Sequence, residues 1–182
     1  MVHHPSILMV WSGAIGSITT RTALTILICL TLATPALAAA SATQFTARVI
    51  AVSDGNTITV LTPDKKHIEI RLYGIYSPET GQPFGTRAKQ SASDAVLEKN
   101  VIVQPMDVDA YGRMVALVSI PGQTKNLNAT LVREGMAWVY ALYCKNQEIC
   151  WEIKNMEQVA RAMQHGLWAD KNPVPPWEWG KR

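Results

Sequence analysis

Past residue 45 the chain breaks into short apolar bursts, many of which alternate with polar positions. Segments 46–52, 57–61, 67–73, 101–105 and 114–120 are rich in Val and Ile and read as strands. Turn chemistry separates the early ones, first Asp54-Gly55-Asn56 and then Thr62-Pro63-Asp64-Lys65. In 67–73 the alternation sets Ile68, Ile70 and Leu72 on one face, and His67, Glu69, Arg71 and Tyr73 on the other. Arg71 is therefore expected on a strand, pointing away from the core.

Three segments carry helical spacing instead. Ala88, Ala92, Ala95 and Val96 recur on one face, with Thr86 as the expected cap. Asn128 is the expected cap of a second helix running to Glu134 and ended by Gly135. The same Asn128 opens a glycosylation sequon, Asn128-Ala129-Thr130, but capping is the preferred reading. A third helix is expected over 150–165, with Ile153, Met156, Val159 or Ala160, Met163 and Leu167 as its apolar stripe and Gly166 as its end. His165 is read as a helix-end residue favoured by the dipole. The tail, 171–182, is rich in Pro and Trp and is expected to lack regular structure while docking its tryptophans on the body. Five short strands with interposed helices define an α+β domain, and a five-stranded Greek-key barrel of the oligonucleotide-binding (OB-fold) type with three α-helices is the natural closure.

Composition sharpens the picture at the N-terminus. Of 182 residues, 48% are hydrophobic and 17% charged, which suits one globular domain rather than a disordered chain. Residues 1–38 differ from the rest: Arg21 is their only charged residue, an apolar run follows it, and Pro35 precedes Ala36-Leu37-Ala38. That order is the order of an export signal, and the apolar run is shorter than the roughly 20 residues a spanning helix needs. A cleaved leader over 1–38, a linker over 39–45 and a domain over 46–170 are expected; an uncleaved anchor is the alternative. Export implies a periplasmic or secreted protein without stable membrane association, and a monomer is expected. The chain holds three cysteines, and loss of Cys29 with the leader leaves Cys144 and Cys150. An oxidising compartment and an even count point to one disulfide, with two free thiols as the alternative. The net charge of +3 permits phosphate binding without demanding it.

Three motifs remain: Ser53-Asp54-Gly55-Asn56-Thr57, then Arg71 through Ile75-Tyr76-Ser77-Pro78-Glu79-Thr80, then Asp109-Ala110-Tyr111-Gly112-Arg113. Singly they are a tight turn, a strand ended by proline, and a turn before a strand. In this order and spacing they resemble the staphylococcal nuclease family, over about residues 46–168. The resemblance implies an oligonucleotide-binding barrel and metal-dependent hydrolysis of DNA or RNA phosphodiesters. It implies that Arg71 and Arg113 contact the scissile phosphate, that Glu79 acts on the attacking water, and that Tyr111 and Tyr143 line a nucleotide groove. Simple packing of an amphipathic ring is the alternative for the two tyrosines.

The chain departs from the family at the implied calcium site, which uses two aspartates, a backbone carbonyl and a water-mediated glutamate. Asn56 and Tyr76 stand at the aspartate positions, while Ser77 still offers a carbonyl and Glu79 remains. Calcium affinity follows the number of charged oxygen ligands, so weak or absent binding is expected unless Asp54 shifts inward as a substitute. Two readings stay open: an active phosphodiesterase with altered metal use, and a barrel that binds single-stranded nucleic acid but cleaves it poorly.

Overall fold

The structure, a computed structural model, describes residues 43–181; the expected leader and most of the linker lie outside the described residues. Five strands close a barrel: β1 (Phe45–Asp54), β2 (Thr57–Leu61), β3 (His67–Leu72), β5 (Asn100–Val108) and β6 (Met114–Ser119). Their order around the barrel is β1-β2-β3-β6-β5, with β5 returning to β1. All pairings are antiparallel except β3 with β6. Closure leaves no free sheet edge, and the expected OB-type barrel is the fold. A separate two-stranded ribbon pairs β4 (Ile75–Tyr76) with β7 (Trp138–Val139).

The alternation read in β3 holds for the core: Ile70 and Leu72 are buried among Val49, Ile58, Val60, Val101, Val103 and Val118. Tyr73 departs from it. The strand ends at Leu72, and Tyr73 turns inward to 3% exposure. Its hydroxyl accepts the backbone N–H groups of Lys145 (2.6 Å) and Asn146 (2.8 Å), so burial of the ring leaves no polar atom stranded. Strand β5 continues past the expected stop at Pro105, because a register shift at Pro105–Asp107 accommodates a residue with no N–H to donate.

Helix α1 (Gly85–Val96) packs Ala88, Ala92 and Val96 inward. Thr86 lies inside it and does not cap it; Phe84 precedes the helix in a left-handed conformation with no side-chain cap. Close approach of α1 explains Gly55: a Cβ there would lie 2.6 Å from that of Ala88 and 2.7 Å from that of Ser77. Helix α2 (Leu127–Arg133) is capped by Asn126, whose side chain accepts from Ala129 N, and not by Asn128. Asn128 is fully buried instead. Its amide accepts from Val118 N and donates to the carbonyls of Tyr73 (3.0 Å) and Ala116 (3.2 Å), stitching α2 to the barrel.

Helix α3 (Gln147–Ala162) begins before the expected start at Cys150, because Asn146 caps it through Ile149 N. Ile153 and Ala160 are buried and Met156 half-buried, but Val159 and Met163 are exposed, so the stripe is narrower than expected. Gly135 ends α2 as expected, but α3 stops at Ala162, short of the expected Gly166, with Gln164 taking the left-handed conformation; Gly135 and Gly166 face each other. A Cβ on Gly135 would lie 2.0 Å from the His165 carbonyl, and Leu167 N donates to Gly135 O at 2.9 Å. His165 itself is exposed, with Nδ1 3.2 Å from the Arg133 carbonyl at the end of α2. The tail corrects one expectation: Pro176–Trp179 forms a helical turn, α4, with proline at its start. Trp177 does dock, packing with Phe84 against Trp138, Leu167 and Trp168. Cys144 and Cys150 form the expected disulfide, with 5.6 Å between their Cα atoms. Among the described residues no helix is long and apolar enough to cross a membrane.

Candidate functional site

Parallel pairing of β3 with β6 organises the site. Arg71 pairs with Val115, and Arg113 immediately precedes β6, so the two arginines stand on neighbouring strands at one end of the barrel. Both line a cleft of about 250 Å³ together with Tyr76, Asp109, Tyr111, Tyr140, Tyr143 and Trp177. A larger hollow of about 480 Å³ lies under the tail, lined by Trp138, Arg161, Trp168, 171–175 and Trp177, and holds none of the candidate catalytic or metal residues.

The arginines are held differently. Arg113 Nε donates to Asp109 Oδ2 at 2.7 Å, and its Nη1 lies 3.5 Å from Glu69 Oε1. Asp109 is fixed in turn by the N–H groups of Tyr111 and Arg113 on Oδ1, both at 2.9 Å. Burial works to raise the Asp109 pKa, but the hydrogen bonds and charge of Arg113 outweigh it and hold the carboxyl below its ordinary value of 3.8. A guanidinium has five N–H donors, so these contacts leave others for an anion. Arg71 enters no ion pair among the described residues. Its guanidinium lies over the ring of Tyr76.

Tyr76 links Arg71 to Glu79. Burial pushes its phenol above the ordinary 10.0, the neighbouring Glu79 carboxylate adds to the rise, and Arg71 opposes it. Glu79 is exposed, and its backbone is tied by Gln82. Glu79 N donates to Gln82 Oε1 at 2.9 Å, and Gln82 N donates to Glu79 O at 2.9 Å. Arg71, Tyr76 and Arg113 thus share the cleft, whereas Glu79 neighbours the Tyr76 phenol without lining that cleft.

Tyr111 is 85% exposed on the cleft rim with Arg113 near its ring, and Tyr143 is 49% exposed beside Tyr140. Asn56 and Ser77, by contrast, are spent on each other. Asn56 is 2% exposed, and its Oδ1 accepts from both the N–H and the hydroxyl of Ser77. The Nδ2 of Asn56 has no partner among the described residues. Asp54 turns its carboxylate onto its own hairpin, accepting from Asn56 N at 2.8 Å. No group of three or more His, Cys, Asp or Glu side chains gathers to hold a metal among the described residues.

Sequence reading passed over Asp109, Gln82, Tyr140 and Trp177 as site residues. The Asp109-to-Arg113 spacing across a Gly-containing turn was a signal for the first. Trp177 lies more than 60 residues from the other cleft residues other than Tyr140 and Tyr143, and no local pattern marks it.

The family model described as "Staphylococcal nuclease homologue" matches residues 69–170. The chain is 40% identical over 143 residues to a protein named micrococcal nuclease from Shigella flexneri, covering 75% of this chain and 80% of that one. It is 39% identical over 146 residues to an uncharacterized endonuclease from Haemophilus influenzae, covering 80% and 79%. A staphylococcal-like nuclease, CAN1, from Arabidopsis thaliana is 37% identical over 116 residues, 64% of this chain and 34% of that protein. The chain belongs to the staphylococcal nuclease family.

Proposed function

We propose that this protein is a nuclease that hydrolyses DNA or RNA phosphodiesters in the cleft between Arg71 and Arg113. The observation that carries this reading is the register of β3 and β6, which sets two permanently charged guanidinium groups on one cleft. Attack on a phosphodiester builds negative charge on the phosphoryl and departing oxygens. Planar guanidinium forks match that charge bidentately, and preorganised positive charge is the larger part of such catalysis. In this reading Glu79 orients a water or takes its proton, a role supported by its nearness to Tyr76, which lies beside Arg71.

The metal site is altered. Calcium takes six to eight oxygen ligands and favours carboxylates. Here the Asn56 amide oxygen is engaged by Ser77, its Nδ2 is a donor, Asp54 faces its own turn, and Tyr76 offers a neutral phenol. This donor set does not fit a calcium cage, and no catalytic step is routed through one. The signal-like order of residues 1–38 and the disulfide support an exported, periplasmic or secreted protein, and the exposed tyrosines support single-stranded or denatured substrates.

The test incubates purified protein, without its leader, with denatured DNA in calcium, magnesium, manganese or chelator, beside Arg71→Ala. Cleavage that the variant loses by about 100-fold or more is expected, the scale of losing one preorganised donor. Cleavage in no condition, or cleavage the variant retains, rejects the enzyme reading. Binding without cleavage supports the second reading, a nucleic-acid-binding barrel, which the engaged Asn56–Ser77 pair favours.

A further inference from the structure

We propose that Trp177, delivered by the C-terminal tail, is a base-stacking residue of the cleft and makes it selective for unpaired bases. The proposal rests on the nucleic-acid reading above and adds to it a substrate preference with a residue responsible.

The tail is built into the site rather than draped beside it. Gln82 is 5% exposed and bridges two segments: its Oε1 accepts from Glu79 N, and its Nε2 donates to the Val174 carbonyl at 2.6 Å. One side chain therefore ties the Glu79 loop to the tail. Two residues on, Pro176 is buried at the start of α4, which aims Trp177 at the ribbon of β4 and β7. The indole packs at 4.9 Å and 33° on Tyr140, crosses Trp138 at 6.4 Å and 73°, and lies 6.3 Å from Tyr76. Tyr140 in turn meets Tyr143 at 5.0 Å.

The result is an aromatic wall of Trp177, Tyr140 and Tyr143 on the same cleft as Arg71 and Arg113. Trp177 is only half-buried, and it lines both that cleft and the hollow under the tail. Guanidinium groups that hold a backbone phosphate beside aromatic faces define a surface for a strand whose bases are free to stack. In a duplex those base faces are already covered by neighbouring pairs. A phosphate site alone carries no such preference, so the wall supplies the discrimination.

The test measures fluorescence anisotropy of a labelled twelve-residue oligothymidylate and of a backbone of the same length lacking bases, both in chelator. For Trp177→Ala, affinity for oligothymidylate is expected to fall about 10-fold, with affinity for the abasic strand unchanged within twofold. Trp177→Phe keeps a ring and is expected to retain most of the affinity. Equal loss on both strands, or no loss on oligothymidylate, overturns the proposal. The unaltered protein supplies a second measurement that needs no variant to fold. A 5-iodouracil oligonucleotide is expected to photocrosslink to the peptide containing Trp177, and crosslinks confined to peptides outside the aromatic wall overturn the proposal. Arg71→Ala separates the two layers of inference, because it is expected to weaken both strands alike. If the unaltered protein binds neither strand, the nucleic-acid reading fails; if it binds both equally, stacking alone fails.

Discussion

The guanidinium carbon of Arg71 sits 4.4 Å from the centre of the Tyr76 ring. The family resemblance implies an aspartate at that place, where a carboxylate would meet the same guanidinium as an ion pair. A phenyl face attracts the cation without taking up its N–H donors, which remain available to an anion. In the proposed reading, Tyr76 keeps Arg71 ordered while offering no carboxylate to a metal.

Restoring the carboxylates tests that account. Asn56→Asp with Tyr76→Asp is expected to bind calcium at least about tenfold more tightly than the parent chain, since affinity follows charged oxygen ligands. Isothermal titration calorimetry reads this directly. Either single variant is expected to gain less, because one carboxylate would face Ser77 or Arg71 with no second negative ligand. Equal affinity of the parent and double variant would show that the two positions are not the determinant.

Asp109 is expected to govern Arg113. Its carboxylate bonds the Arg113 N–H and guanidinium, so Asp109→Asn keeps the shape but loses the charge. A hydrogen bond to a charged group contributes about 2 kcal/mol, so a stability loss near that size is expected in urea unfolding. The folded pKa of Asp109 lies below the unfolded value, so its contribution is present above about pH 4 and is lost as pH falls below that. Parent and variant are therefore expected to converge in stability towards pH 2–3. A constant difference from pH 7 to pH 3 would assign the loss to packing instead.

How much of this was legible depended on whether the cause was local. The β3 alternation follows from side chains facing opposite sides of a strand, so Arg71 could be placed outside the core from the seven residues 67–73. Gly135 was legible as a helix end because the cause, a positive φ, acts at the residue itself, whereas α3 ends earlier than the expected Gly166, through a left-handed Gln164 that its residue type does not announce. Tyr73 was misplaced because its partners, the N–H groups of Lys145 and Asn146, lie more than 70 residues away. Thr86 was preferred as a cap by residue type, whereas α1 begins where Gly85 passes the Glu79 carbonyl too closely for a Cβ. Trp177 and Gln82 belong to the site only through tail docking. That contact is tertiary, and proline content alone pointed to an irregular segment.

The two asparagines beside α2 give a comparison of local and tertiary causes. Asn126 caps the helix through one bond to Ala129 N, and Asn126→Ala is expected to cost about 1 kcal/mol. Asn128 bonds three buried backbone groups, and Asn128→Ala strands Val118 N and the Tyr73 carbonyl, while the Ala116 carbonyl keeps the Tyr73 N–H at 2.8 Å. Leaving buried groups unsatisfied costs about 1–3 kcal/mol each, so a loss of at least about 2 kcal/mol is expected. Thermal unfolding of the two variants ranks them. An equal shift would mean that water reaches the space vacated by Asn128.

The loop entering α3 is anchored twice, and the anchors are expected to be coupled. The Cys144–Cys150 disulfide closes it covalently, and the Tyr73 hydroxyl holds Lys145 N and Asn146 N from below. Cys144 also packs against Gly74, where a Cβ would lie 2.9 Å from its sulfur, so the loop sits directly on the chain leading to β4 and Tyr76. A bridge spanning six residues contributes about 2 kcal/mol in the chain-entropy account. Tyr73→Phe leaves two backbone donors without their acceptor and is expected to cost a similar amount. If both act on one loop, removing either lets the other yield more easily, so the double change should cost less than the two single losses added together. Urea unfolding of the oxidised and reduced protein, with and without Tyr73→Phe, completes the cycle. Strict additivity would show that the disulfide and the hydroxyl stabilise separate parts of the structure.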